Sequence, residues 1–251
     1  MGNRDDEVVL VTGGAKGIGR TYALGLADAG YRVAVADIAD ASQTVGEVTA
    51  RGGEALAVRV DVTSQESTEA MASAVVEKWG RIDGLINNAA YFTAIHKAPF
   101  DELTVEEWDK AYRVNVLGTW LCARAVYPTM KEQGHGKIIN TSSMVVPTAV
   151  PMFLHYVASK SAIVGLTRSL AHEVGKDGIA VNTISPCYVP HDDSYIAKQD
   201  DAMGAAIVNQ RAFKREMQPD DLVGTVLYLL GHGSDFVTGQ NLYVNGGRAF
   251  T

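Results

Sequence analysis

Only two cysteines, Cys122 and Cys187, occur in the 251 residues, and neither belongs to a C-x-x-C pair. Such usage excludes a disulfide framework and the ligand spacing of a zinc site, and it fits a cytoplasmic compartment. Carboxylates and histidines are present but not at ligand spacing on one element, so no metal is expected. Basic clusters are missing too. With 22 Lys and Arg against 29 Asp and Glu, the formal net charge is −7, whereas nucleic acid or an anionic membrane surface needs a basic patch to replace its counterions. No nucleic-acid or membrane partner is expected. There is no apolar run of about 18 residues, the length that would suggest a membrane span. The opening MGNRDDE carries no apolar segment of a signal peptide, and Asp6 stands where a myristoylation signal would have Ser or Thr. Internal repeats, low-complexity tracts and Pro/Gly/Ser-rich linkers are also absent, so residues 1–251 are read as one domain. Its 47% hydrophobic and 20% charged residues suffice for a large core.

What is present is an alternation. Short apolar runs rich in β-branched residues, at 8–12, 32–37, 55–60, 84–87, 137–141, 179–184 and 242–244, recur between segments of helical period. Nearly continuous apolar strands between helices signal a parallel sheet covered on both faces, an α/β fold. Helices are expected near 18–29, 41–51, 65–79, 104–131, 156–174 and 219–230. The stretch 61–64 offers a helix cap, and Gly80, Gly134 and Gly175 offer stops. Residues 187–218 are the least regular, and a connection of that length is expected to act as a lid over a binding site.

The first strand, VVLVT, runs into GGAKGIGR, with Gly13, Gly17 and Gly19 at the turn into the first helix. Glycine allows the tight turn and the close approach of a pyrophosphate, whose charge the free N–H groups of a helix start attract. Asp37 closes the second strand 18 residues after Gly19, near where an acid that binds an adenosine ribose is expected. Further on, HYVASK sets Tyr156 four residues before Lys160. On a helix that spacing puts phenol and ammonium on one face, although many helices carry such a pair by chance.

The glycine spacing T-G-x-x-x-G-I-G resembles the fingerprint of the short-chain dehydrogenase/reductase family. Other segments agree with it in order: Asp61-Val62, the NNAA run of Asn87, Asn88, Ala89 and Ala90, Asn115 in RVNVLG, Ser143 placed 13 residues before Tyr156, the Tyr156–Lys160 motif, and VNGG at 244–247. The resemblance spans essentially the whole chain. It implies a doubly wound, Rossmann-type parallel sheet of about seven strands with helices on both faces, and a homotetramer with one interface through the helices near 104–131 and 156–174 and another through the C-terminal strand region.

For the site, the resemblance implies Tyr156 as acid/base, Ser143 on the substrate oxygen, Lys160 on both the phenol and the nicotinamide ribose, and Asn115 holding a water in a proton relay. A Tyr can take an alcohol proton only if its pKa falls from about 10 towards neutrality, and a nearby ammonium favours that. Cofactor contacts are expected from Gly13, Lys16, Gly17, Ile18, Gly19, Asp37, Asp61, Val62, Asn88, Tyr156, Lys160, Pro186 and Val189. Asp37 would repel a 2'-phosphate and so favours NAD, and Ile38 rather than Arg follows it; Lys16 is the opposing signal, since a basic residue there can favour NADP. Where the family has P-G-x-[IV]-x-T, this chain reads Pro186-Cys187-Tyr188-Val189-Pro190-His191. The Thr contact is thereby lost, and His191 either meets the cofactor or starts the lid; Cys187 is read as a packed small residue.

The substrate is less legible. Met144, Val145, Phe153, Leu154 and Tyr188, with lid residues Tyr195, Met203 and Phe213, suggest an apolar pocket for an aryl or alicyclic secondary alcohol or ketone. His96, Lys97, Asp192 and Asp193 would instead serve a polar substrate. The expected activity is that of an NAD-dependent alcohol dehydrogenase. A 3-oxoacyl thioester reductase, a sugar or polyol dehydrogenase, and a non-catalytic dinucleotide sensor or scaffold remain as alternatives.

Overall fold

The β-branched runs form strands β1 (Val8–Thr12), β2 (Arg32–Asp37), β3 (Ala55–Arg59), β4 (Gly84–Asn87), β5 (Gly136–Thr141), β6 (Ile179–Pro186) and β7 (Asn241–Val244). The computed structural model describes residues 6–92, 94–190 and 201–250, apart from the side chains of 201–203. Among the described residues the strands make one parallel sheet in the order β3-β2-β1-β4-β5-β6-β7. The fold is thus the doubly wound Rossmann type expected from the sequence.

Parallel strands need long crossovers, and helices supply them. These are α1 (Gly17–Asp28), α2 (Ser42–Ala50), α3 (Gln65–Trp79), α4 (Val105–Tyr112), α5 (Gly118–Gln133), α6 (Val145–Thr148), α7 (Leu154–Val174), α8 (Asp201–Gln210) and α9 (Val223–Leu230). Successive strand residues point to opposite faces. Val9 and Val11 accordingly join Tyr22 and Leu26 of α1 and Val226 of α9 in one core, while Val8 and Leu10 join Met71 of α3 and Val126 of α5 in the other. Burial on both faces explains why β1 and β2 read as continuous apolar runs. Cys122 belongs to the second core, where burial pushes its thiol up to about 12 and keeps it inert.

Several boundaries differ from expectation for identifiable reasons. Ser64 does cap α3, accepting from Ser67 N at 3.2 Å, and Gly80 and Gly134 do end their helices in the left-handed conformation. Gly175 does not; it is right-handed and starts a short tight turn that Gly178, at φ +77°, terminates. The helix expected over 104–131 is α4, then a π-turn at Arg113–Leu117, then α5. Buried positions keep a spacing of three or four residues through that turn, at Ala111, Asn115, Gly118, Cys122 and Val126, so the pattern shows no break. Helix α8 lies inside the stretch read as irregular; of its described side chains only Ile207 is buried, which is too little to give a helical period. Among the described residues no helix is long and apolar enough to cross a membrane.

Because all strands run the same way, their C-terminal ends share one edge of the sheet. The strand order reverses between β1 and β4, and the crevice beyond that point is where this architecture takes ligands.

Candidate active site

At the end of β1 the chain turns through Gly13 at φ +65°. A Cβ at Gly13 would come within 2.9 Å of Ala89 Cα, and one at Gly19 would overlap the Gly13 carbonyl oxygen, so both positions exclude a side chain. Asn88 clamps this turn: its Nδ2 donates to Thr12 O and Gly13 O, both at 3.1 Å. Thr12 Oγ1 in turn accepts from Asn88 N and Ala89 N at 3.1 Å. Helix α1 then begins with neither a side-chain cap at Lys16 nor an acidic residue in its first turn. Its first N–H groups and their positive end are therefore left for an anion. Gly13, Lys16, Gly17 and Ile18 line one end of a cavity of about 790 Å3, whereas Gly19 is buried behind it.

Next along that cavity come Asp37, Ile38, Asp61 and Val62. The Asp37 carboxylate accepts from Ala15 N at 3.0 Å and Ala39 N at 2.9 Å, one bond on each oxygen. Each oxygen keeps a lone pair for a hydroxyl donor. Asp61 Oδ1 accepts from the Thr63 amide and hydroxyl at 2.9 and 2.7 Å, which fixes the turn after β3. The bare helix start, the side-chain-free turn and the oriented carboxylate fit a nicotinamide dinucleotide, with pyrophosphate over α1 and adenosine towards Asp37.

The other end of the cavity gathers Ser143, Tyr156 and Lys160 from β5 and α7. The two serines after β5 divide: Ser142 Oγ donates to Lys160 O at 2.8 Å, while Ser143 is hydrogen-bonded to Tyr156. Lys160 Nζ donates to Thr141 O at 2.8 Å and lies 5.7 Å from the centre of the Tyr156 ring. Burial dominates both groups. It pushes the Tyr156 phenol well above its ordinary value, with the Ser143 bond pulling the other way, and it lowers the Lys160 ammonium to about 7. The expected fall of the Tyr156 pKa is thus reversed in the protein by itself, because desolvating a phenolate outweighs an amine that is itself desolvated.

Asn115 sits in the π-turn beneath this end, fully buried. Its Oδ1 accepts from Tyr91 N at 2.7 Å and its Nδ2 donates to Ser159 Oγ at 3.0 Å, so its side chain holds the Tyr91 loop against the α7 turn between Tyr156 and Lys160. Met144, Val145, Phe153, Pro186, Cys187, Tyr188 and Val189 line the cavity. Leu154 and Phe213 do not: Leu154 is turned outward on the first turn of α7, and Phe213 lines a small separate pocket beside Arg211. His96 is exposed and paired with Glu107 at 2.9 Å. Lys97 lies over the Phe153 ring at 5.0 Å, outside the cavity lining. His191, Asp192, Asp193, Tyr195 and the Met203 side chain fall outside the described residues.

Sequence reading missed Tyr91, Phe92, Lys110, Thr148, Val150, Ile207 and Arg248, all on the cavity wall. Tyr91 and Phe92 directly follow the NNAA run, so that motif was the signal for them. The others come from elements whose convergence no local pattern records. Among the described residues no group of three or more His, Cys, Asp or Glu is placed to hold a metal ion.

Residues 13–249 match the family model described as enoyl-(acyl carrier protein) reductase. The chain is 35% identical over 249 residues to the (2S)-[(R)-hydroxy(phenyl)methyl]succinyl-CoA dehydrogenase subunit of Thauera aromatica, covering 97% of each chain. It is 34% identical over 241 residues to a 3-oxoacyl-[acyl-carrier-protein] reductase of Staphylococcus aureus, covering 95% of this chain and 96% of that one. Among solved structures, levodione reductase superposes with a TM-score of 0.91 at 30% identity, covering 97% of each chain.

Proposed function

Because the chain belongs to the short-chain dehydrogenase/reductase family, whose oxidoreductases use nicotinamide dinucleotides, we propose that it interconverts a hydrophobic secondary alcohol and its ketone with NAD. The observation that carries this reading is the convergence of Ser143, Tyr156 and Lys160 at one end of a cavity whose other end is the α1 cradle. Bound nicotinamide supplies the acceptor or donor of hydride. Ser143 holds the substrate oxygen, and Tyr156 takes the hydroxyl proton or returns it to the ketone. Lys160 in its ammonium form favours phenolate over phenol, and with its own pKa at about 7 it gains and loses a proton in the working range. Asn115 keeps its place in this reading as part of the proton path.

The choice of NAD rests on Asp37, which would face a 2'-phosphate, and on Ile38, which offers that phosphate no charge. An aryl or alicyclic substrate is supported by Phe92, Met144, Val145, Phe153 and Tyr188 on the wall. The same reading takes residues 187–218 as the lid, the molecule as a homotetramer and its place as the cytoplasm. A second reading, reduction of a 3-oxoacyl thioester, is favoured by the similarity to the Staphylococcus aureus reductase. NADH formation across aryl, alicyclic, polyol and hydroxyacyl substrates, with NADP in parallel, separates the two. Activity with NAD on a hydrophobic alcohol is expected; a preference for NADP or exclusive activity on polyols would overturn it.

A further inference from the structure

Charge is unevenly distributed along the cavity. Among the described residues its carboxylates are Asp37, which closes β2, and Asp61, which follows β3; its cations are Lys16, Lys110, Lys160 and Arg248. Arg248 follows β7, five inter-strand steps from β2, or roughly 24 Å at ordinary strand spacing. Lys16 belongs to the α1 cradle, Lys160 to the Tyr156 pair, and Lys110 lies over the Tyr91 ring at 4.7 Å. Arg248 is the cation these arrangements leave without a task.

Its placement is built by the chain. After β7, Asn245 Oδ1 accepts from Gly247 N at 2.7 Å and Arg248 N at 3.2 Å, and Asn245 Nδ2 donates to Ala249 O at 2.8 Å. Gly246 and Gly247, at φ +63° and +76°, make the reversal that returns the chain towards the cavity. The guanidinium then donates from Nε to Gln210 Oε1 at 3.0 Å, and its Nη1 rests 3.7 Å from Cys187 Sγ. Both neighbours are uncharged, and among the described residues no carboxylate pairs with it. Arg248 lines the cavity, and its Nη2 amino group makes no hydrogen bond among the described residues, so the planar guanidinium keeps donors that suit a carboxylate.

We infer that Arg248 is a substrate-anchoring residue, and that the substrate is a hydrophobic secondary hydroxy acid or its keto acid, whose carboxylate seats on Arg248 while its carbinol lies at Ser143 and Tyr156. This deepens the alcohol/ketone reading of the cavity and rests on it. The pyrophosphate of the cofactor is not the intended partner, since α1 starts after β1, three strands from the Cys187 end of β6.

The test pairs turnover with binding, in wild type, Arg248→Gln and Arg248→Lys. Turnover compares 3-hydroxy-3-phenylpropanoate with 1-phenylpropan-1-ol; calorimetry on the NADH-loaded protein compares 3-phenylpropanoate with its neutral amide. Wild type is expected to favour the acid in kcat/KM, and the carboxylate in affinity, by about tenfold or more. Arg248→Gln should lose both preferences and Arg248→Lys retain part, with NADH affinity kept in each as the sign of an intact fold. Equal binding of acid and amide, no binding of the acid, or a preference that survives in Arg248→Gln overturns the inference. If the carboxylate binds with the expected preference but neither alcohol is turned over, the hydride-transfer reading fails for these substrates while the anchor stands.

Discussion

The two ends of the cavity are built on different plans. The cradle at β1 and α1 comes from a short run of sequence clamped by Asn88, and its tightest approaches are backbone against backbone, as where a Gly19 Cβ would overlap Gly13 O. The far end draws side chains from the β4 loop, α4, α6, α7, β6, α8 and the turn after β7, and is held by burial and side-chain bonds. A backbone site has few ways to vary without failing, while a side-chain site tolerates replacement at one wall at a time. The first therefore fixes the cofactor class, and the second leaves room for substrate to differ.

Damage confined to the far end is the largest way to sharpen that contrast. Tyr156→Phe removes the proposed proton carrier without touching the cradle, so kcat should fall about 1000-fold while NADH affinity, read by fluorescence titration, stays within about twofold. Near-normal turnover would end the assignment of Tyr156 as acid/base. The opposite break is Gly19→Ala. Overlap with the Gly13 carbonyl must displace the turn, and NADH affinity should drop about tenfold or more, with about 1–3 kcal/mol of stability lost to urea. Unchanged affinity would mean that the turn relaxes without cost and that its geometry is not what binds.

The smallest effect concerns protons. Burial lowers Lys160 from 10.5 to about 7, so between those values the unfolded chain carries a proton that the folded chain has shed. The unfolded state then binds more protons, and stability rises with pH. Cys122, raised to about 12 by burial, acts in the opposite sense above its ordinary 9.0, which leaves pH 7 to 9 as the clean window. Across it the cofactor-free wild type should gain about 2 kcal/mol relative to Lys160→Met in urea unfolding. A flat difference would show that the folded protein keeps the proton on Lys160.

The same division governs what the sequence reveals. Gly13, Gly17, Asp37, Tyr156 and Lys160 stand at fixed separations within single strand–turn or helix units, so their spacing is written locally and could be read. Strand positions were legible because burial on both faces leaves continuous β-branched runs. Arg248 could not be assigned to the site, because only sheet order and the turn at Gly246 and Gly247 bring it to β6, and Ile207 could not because it is the one buried described side chain of α8. The π-turn at Asn115 escaped because the buried positions on either side of it, Ala111, Gly118 and Cys122, keep helical spacing with Asn115. The reversed Tyr156 pKa escaped for a different reason: spacing reports that an amine is near but not that the amine is dry.

The strand order also has a temporal meaning. A ribosome completes β1, β2, β3 and the Asn88 clamp before half of the chain has been made, whereas Tyr156, Cys187 and Arg248 follow much later. The nascent chain thus holds the elements of the dinucleotide cradle long before it holds the Ser143, Tyr156 and Lys160 cluster, and the strand that precedes Arg248 is the last to be made. A cofactor met during synthesis would find the turn at Gly13 and the Asp37 carboxylate already made while β6 and β7 are still to come.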